Sequence, residues 1–142
     1  MTVTFLGTCS GGGPNESRNC SSLIVDCLGD GSLWMVDCAE GTTRQFAFQP
    51  ADAPVRLKPQ SVCKLFITHM HADHTMGVVT MLRTILFTSP TPVSVNAPPK
   101  IEIYGPAGIR TFVRSLLKMT LTQTAQRYVA HVSAPRGYTH AV

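Results

Sequence analysis

Residues 66–77, FITHMHADHTMG, gather three of the chain's five histidines and an aspartate into one short turn. Imidazole and carboxylate are donors that a borderline cation such as zinc accepts readily, so the segment reads as a metal-binding turn. Its flanks set its place in a fold. Val62, Leu65, Phe66 and Ile67 form a short apolar, strand-like run, whereas Val78, Val79, Leu82, Ile85 and Leu86 recur at helical spacing. A strand must therefore lead into the turn and a helix out of it. His69 and His71, two residues apart on extended chain, project to the same side and can share an ion. Asp73 and His74 are adjacent, and four donors so tethered crowd a single tetrahedral centre. Two metals a few ångströms apart accommodate them better.

Composition mainly excludes. A chain of 142 residues, 44% hydrophobic and 14% charged, is expected to form one globular domain with a buried core. No uninterrupted apolar run reaches the roughly 18 residues of a membrane helix, so no membrane span is expected. The opening MTVTFLGT enters a strand-like alternation without the basic region of a secretory leader. Five cysteines, an odd number without any C-x-x-C pair, suggest free thiols in a reducing compartment. An intracellular protein, cytoplasmic or nuclear, is the expectation. The net charge of +4 is unevenly spread, because no acidic residue follows Glu102. Arg110, Arg114 and Lys118 recur every four residues among Ile109, Phe112, Val113, Leu116 and Leu117, which describes an amphipathic helix with a basic stripe. Such a stripe is either a solvated face or a surface for a polyanion.

Along the chain the elements alternate as in a mixed α/β protein. TVTFL predicts a strand, GTCSGGGPNESRN a glycine-rich loop, CSSLIVDCL a second strand, GDG a hairpin-type turn and SLWMVDC a third strand. A short helix is expected in TTRQFAFQ, then a proline-containing loop over 50–61, the strand CKLFIT, the histidine turn and a helix over about 76–88. The proline-rich SPTPVSVNAPPK reads as an extended connector, followed by the strand IEIYG, the basic helix and a last apolar alternation near RYVAHV.

The H-x-H-x-D-H turn resembles that of the metallo-β-lactamase superfamily, an αββα sandwich of two sheets flanked by helices. TFLGTCSGGGPNESRNCSSL, VDCAEGTTRQ and IYGPAGI narrow the resemblance to the tRNA 3′-processing endonucleases, the tRNase Z family in its short form. The resemblance runs from about residue 3 to residue 131. It implies that His69 and His71 ligate one zinc ion and Asp73 and His74 the other, with Asp73 also acting as general base on the attacking water. It implies a precursor tRNA substrate, removal of its 3′ trailer by phosphodiester hydrolysis, and a homodimer in the complete protein. Asp37, ending the third strand, is either a partner that orients a ligand histidine or a turn aspartate. Arg18, Asn19, Thr42 and Arg44 stand where the family contacts RNA or supports that contact.

Three departures from the family pattern, and one glycine run unrelated to it, bear on function. Glu16 stands in the first loop where many members carry a lysine. Ala39 replaces the usual glycine of D-C-G-E-G-T, which suggests that no positive φ is needed there. Glycines 11–13 lack the G-K-[ST] of a phosphate-binding loop and read as a flexible loop. The four donors of the turn also fall short of the three protein ligands each catalytic ion ordinarily takes. The family supplies the rest from the second half of its fold, and neither His131 nor His140 matches those motifs. The expected fold is thus the N-terminal half of the sandwich, a partial domain over 1–142 without the later ligands or the RNA-binding arm. On that expectation the chain is by family an endoribonuclease but inactive alone. The alternatives are a non-catalytic fragment with weak metal and RNA binding, or another hydrolase of the same superfamily.

Overall fold

The computed structural model describes residues 1–9, 11, 13–87, 98–120 and 128–133. Its strands are β1 (Thr2–Gly7), β2 (Ser22–Asp26), β3 (Leu33–Val36), β4 (Val62–Phe66), β5 (Ile101–Gly105) and β6 (Tyr128–Val132), and its helices α1 (Thr42–Gln45), α2 (Ala72–Thr75), α3 (Val78–Phe87) and α4 (Ile109–Met119). The strands form one mixed sheet in sequence order, antiparallel from β1 to β3 and parallel from β3 to β6. The α/β architecture is present as one sheet and one helical layer.

Alternation along each strand sorts the sheet into two unlike faces. Ile24, Met35, Leu65, Ile103 and Ala130 lie side by side in register and are buried. They meet Val78, Met81, Leu82, Ile85 and Leu86 of α3 and Ile109, Val113 and Leu117 of α4, whose spacing of three and four residues makes each helix a one-sided wedge. Each large aliphatic side chain so buried contributes roughly 2 kcal/mol. The opposite face carries Val3, Phe5, Leu23, Val25, Trp34, Val36, Lys64, Phe66, Glu102, Tyr104, Val129 and His131, all half-buried or exposed. Among the described residues nothing buries it.

Element bounds differ from the sequence expectation where side chains compete with the ladder. The second and third strands are shorter than CSSLIVDCL and SLWMVDC, because Asp26 and Asp30 accept the backbone N–H groups of Gly29 and Ser32 and make the connection a loop over 27–32 instead of a tight hairpin. The helix over TTRQFAFQ is α1 followed by a 3-10 turn at Phe46–Phe48. A 3-10 turn at Pro59–Ser61 closes the loop before β4. Most of the expected extended connector lies outside the described residues.

Candidate metal centre

The parallel strands β3, β4 and β5 all point their C-terminal ends at one edge, the usual place for a site in an α/β sheet. Beyond β3 comes Asp37, beyond β4 comes the histidine turn. Asp37 is buried, 6% exposed, and its backbone N–H donates to the Phe66 carbonyl at 2.8 Å, which ties the two strand ends together. Its φ of 56° turns the carboxylate across the sheet edge. There Oδ1 accepts the Thr68 N–H at 2.8 Å, while Oδ2 accepts the Thr68 hydroxyl and the His74 Nδ1–H, each at 2.8 Å.

This relay fixes two tautomers. Because the Thr68 hydroxyl gives its proton to Asp37, its oxygen accepts from His69 Nδ1 at 3.0 Å. His69 and His74 therefore both keep a proton on Nδ1 and present a bare Nε2 lone pair. Their rings lie 4.1 Å apart centroid to centroid, and the His71 ring is 4.5 Å from that of His69. His74 Nε2 also faces Asp73 Oδ2 at 3.5 Å, an acceptor opposite an acceptor that only a proton or a cation reconciles. Asp73 Oδ2 receives the Gly11 N–H at 3.1 Å, so the glycine-rich loop is anchored to the turn.

The donor set thus fits a borderline divalent cation in kind, and His69 and His74 have Nε2 left to ligate. In number it offers pairs: among the described residues, no three histidine, cysteine, aspartate or glutamate side chains converge as around one ion. His131 does not add to the set, because its Nε2 lies 3.2 Å from Glu102 on the open sheet face and its ring stacks on Tyr104. His140 lies outside the described residues.

The remaining candidates flank the turn. Asn15 organises the first loop by accepting the N–H groups of Ser17 and Arg18. Arg18 and Arg44 are exposed and Asn19 is buried, and all three line one cleft. Thr42 is fully buried and can only support a contact. Ala39 needs no positive φ, as expected; the left-handed turn falls on Asp37 and Gly41 instead. Sequence reasoning missed Thr68, whose only signal was a hydroxyl beside a candidate ligand, and the Gly11 N–H, because a backbone donor carries no residue signature.

A family model described as Anti-Pycsar protein Apyc1 matches residues 1–131. Zinc phosphodiesterase ELAC protein 1 of Homo sapiens is 37% identical over 135 residues, 95% of this chain and 34% of that protein. A ribonuclease Z of Microcystis aeruginosa is 35% identical over 135 residues, 95% of this chain and 38% of that protein. The crystal structure of human tRNase Z, short form, matches with a TM-score of 0.75 at 36% identity, covering 94% of this chain and 46% of that one. The metallo-β-lactamase fold protein YhfI of Bacillus subtilis shares the fold, with a TM-score of 0.63 at 19% identity over 95% of this chain and 47% of its own. The chain spans little more than a third of the curated relatives' length, 34% and 38% of the two named. It belongs to the family described as Anti-Pycsar protein Apyc1, and it is similar in sequence and fold to the tRNase Z proteins, with the metallo-β-lactamase fold.

Proposed function

We propose that this chain contributes the metal-binding turn and an adjoining RNA cleft of a zinc-dependent endoribonuclease that removes the 3′ trailer from precursor tRNA. The observation that carries the reading is the pair of hydrogen bonds that Asp37 makes to His74 Nδ1 directly and to His69 Nδ1 by way of Thr68, which leaves both Nε2 atoms to accept a cation, that of His74 3.5 Å from Asp73 Oδ2. His69 and His71 would hold one zinc ion, Asp73 and His74 a second. Zinc, when bound, supplies Lewis-acid stabilisation of charge on the phosphoryl oxygens and lowers the pKa of water. Asp37 keeps both imidazoles in the ligating tautomer. The Gly11 N–H holds Asp73 Oδ2, and Asp73 takes a proton from the attacking water as general base. That water's oxygen bonds to phosphorus, the phosphorus–O3′ bond breaks, and the leaving O3′ gains a proton. The products are a tRNA with a 3′ hydroxyl and a trailer with a 5′ phosphate. The relatives' names, zinc phosphodiesterase and ribonuclease Z, support the same chemistry. The proposed setting is the cytoplasm or nucleus, and the proposed assembly of the complete protein is a homodimer.

Two measurements test the reading. Elemental analysis of the purified chain should show weakly held zinc that drops in His69→Ala and again in His74→Ala; equal metal in all three preparations removes the site. A chimera in which residues 1–131 replace the matching segment of the human short-form relative should cut a 3′-extended precursor tRNA, and its His74→Ala form should not. A chimera that cuts only a small phosphodiester such as bis(p-nitrophenyl) phosphate would replace the tRNA reading with another hydrolase of the superfamily.

A further inference from the structure

Two clefts border the first loop, and Pro14 and Glu40 line both. One runs beside Asp73, lined by Gly13, Pro14, Cys20, Glu40, Ala72 and Met76. The other, about 540 Å³, shares Pro14 and Glu40 with it and extends past Arg18 and Asn19 to Arg44 and Phe48. That volume lies within the about 300–1,000 Å³ of small-ligand sites. The second cleft therefore adjoins the one at Asp73, within reach of a nucleotide next to one whose phosphate sits there.

What waits there is an aromatic platform. The 3-10 turn after α1 leaves Phe48 61% exposed, and the Arg44 guanidinium lies 5.1 Å above its ring. A lone exposed aromatic ring is ordinary; one set in a concave wall and paired with a guanidinium is a surface on which a planar ring stacks. Charge at the cleft is balanced, with Arg18 and Arg44 against Glu16 and Glu40, so phosphate attraction is a weak source of affinity here. Asn19, 8% exposed, stands in the same wall with its Nδ2 buried and, among the described residues, without a hydrogen-bond partner.

We propose that this cleft is a nucleobase subsite, in which a single-stranded nucleotide beside the one at the metal turn stacks its base on the Arg44–Phe48 pair. The inference rests on the nucleic-acid reading above and adds to it a stacking residue, Phe48, with binding carried by the base more than by the phosphate. Stacking is indifferent to which base is present. It is also nearly indifferent to salt, unlike phosphate contacts.

Fluorescence anisotropy on the full chain tests it with two labelled probes, a cytidine hexaribonucleotide and a fully abasic sugar-phosphate hexamer of equal charge. The wild type should prefer the cytidine probe. Phe48→Ala should lower cytidine-probe affinity about tenfold, within the range of one base–aromatic stack, while leaving the abasic probe unchanged, and Phe48→Trp should restore it. The loss should persist from about 50 to about 200 mM salt, a range over which phosphate contacts weaken steeply. Equal binding of both probes, or an unaffected Phe48→Ala, overturns the subsite and leaves the nucleic-acid reading standing. Failure of the wild type to bind either probe overturns both.

Discussion

Asp37 has a φ of 56°, the one positive φ outside glycine among the described residues, and two opposing effects meet there. Relief of the left-handed backbone by glycine is worth about 1 kcal/mol. Against this stand three hydrogen bonds to a buried carboxylate, from Thr68 N, Thr68 Oγ1 and His74 Nδ1, each contributing about 1.5–3 kcal/mol. The hydrogen bonds win, so Asp37→Gly should lose about 3 kcal/mol in urea unfolding; a gain in stability would mean that the relay contributes little. Asp37→Asn separates ligand orientation from folding, since asparagine tolerates the same backbone but its amide cannot hold both protons. Zinc affinity of that variant, measured by competition with a chromophoric chelator, should fall about 10- to 100-fold with the fold retained. Metal affinity equal to wild type would confine Asp37 to a structural role.

At the scale of elements, the histidine turn is held by a backbone clasp. Cys38 N donates to His74 O and Gly77 N to Cys38 O, at 2.8 and 2.9 Å. A side chain at Gly77 would overlap the Ala39 carbonyl, so close approach, and not φ, demands glycine there. Gly77→Ala should cost about 2 kcal/mol or more, and amide exchange should show the loss concentrated in α2 and the start of α3; an unchanged midpoint would show that the clasp yields freely. The strand, turn and helix around His69–His74 were legible because a short apolar run precedes it and helical spacing follows it. The clasp was not, because it joins residues distant in sequence through main-chain atoms alone. The same holds for the Phe48 cleft, whose two walls come from the first loop and from the turn after α1. Arg110 shows a subtler limit: its position in a basic stripe was readable, yet its guanidinium is spent on the Ala130 carbonyl at 3.2 Å, fastening α4 to β6. A polyanion contact from that helix is therefore better tested at Arg114 and Lys118 than at Arg110. Arg114→Glu with Lys118→Glu should weaken precursor-tRNA binding more at low salt than at high salt, and unchanged affinity at every salt concentration would mark the stripe as a solvated face.

Over the whole molecule, the open sheet face decides how the isolated chain behaves. Phe5, 66% exposed, and the row Trp34–Phe66–Tyr104–His131, with ring centroids 5.6, 5.0 and 4.6 Å apart, spread aromatic surface across five strands. Soluble monomers rarely leave more than a few hundred Å² of continuous apolar surface in water. Lys64 and Glu102 interrupt the face with an ion pair at 3.1 Å. The Tyr104 hydroxyl, Lys64 and the His131 contact hold the Glu102 carboxyl below its ordinary value, and the hydrogen bonds to Glu102 and Tyr104 hold the Lys64 ammonium above its own. A carboxyl so lowered adds stability above its unfolded pKa, near 4.5, and loses it as pH falls through the lower folded value. Acid therefore removes the carboxylate partner of Lys64 and weakens the contacts that join β4, β5 and β6. The 142-residue chain should bind an anilinonaphthalene dye at neutral pH and associate as its concentration rises, with dye binding stronger once the pH falls through the lowered Glu102 value. Phe5→Lys, which removes an exposed ring at small cost to the core, should reduce dye binding and shift sedimentation toward monomer. A dye-silent monomer at neutral pH would show that the face is covered within the chain itself, and the account of this fold as one sheet with one open side would have to be given up.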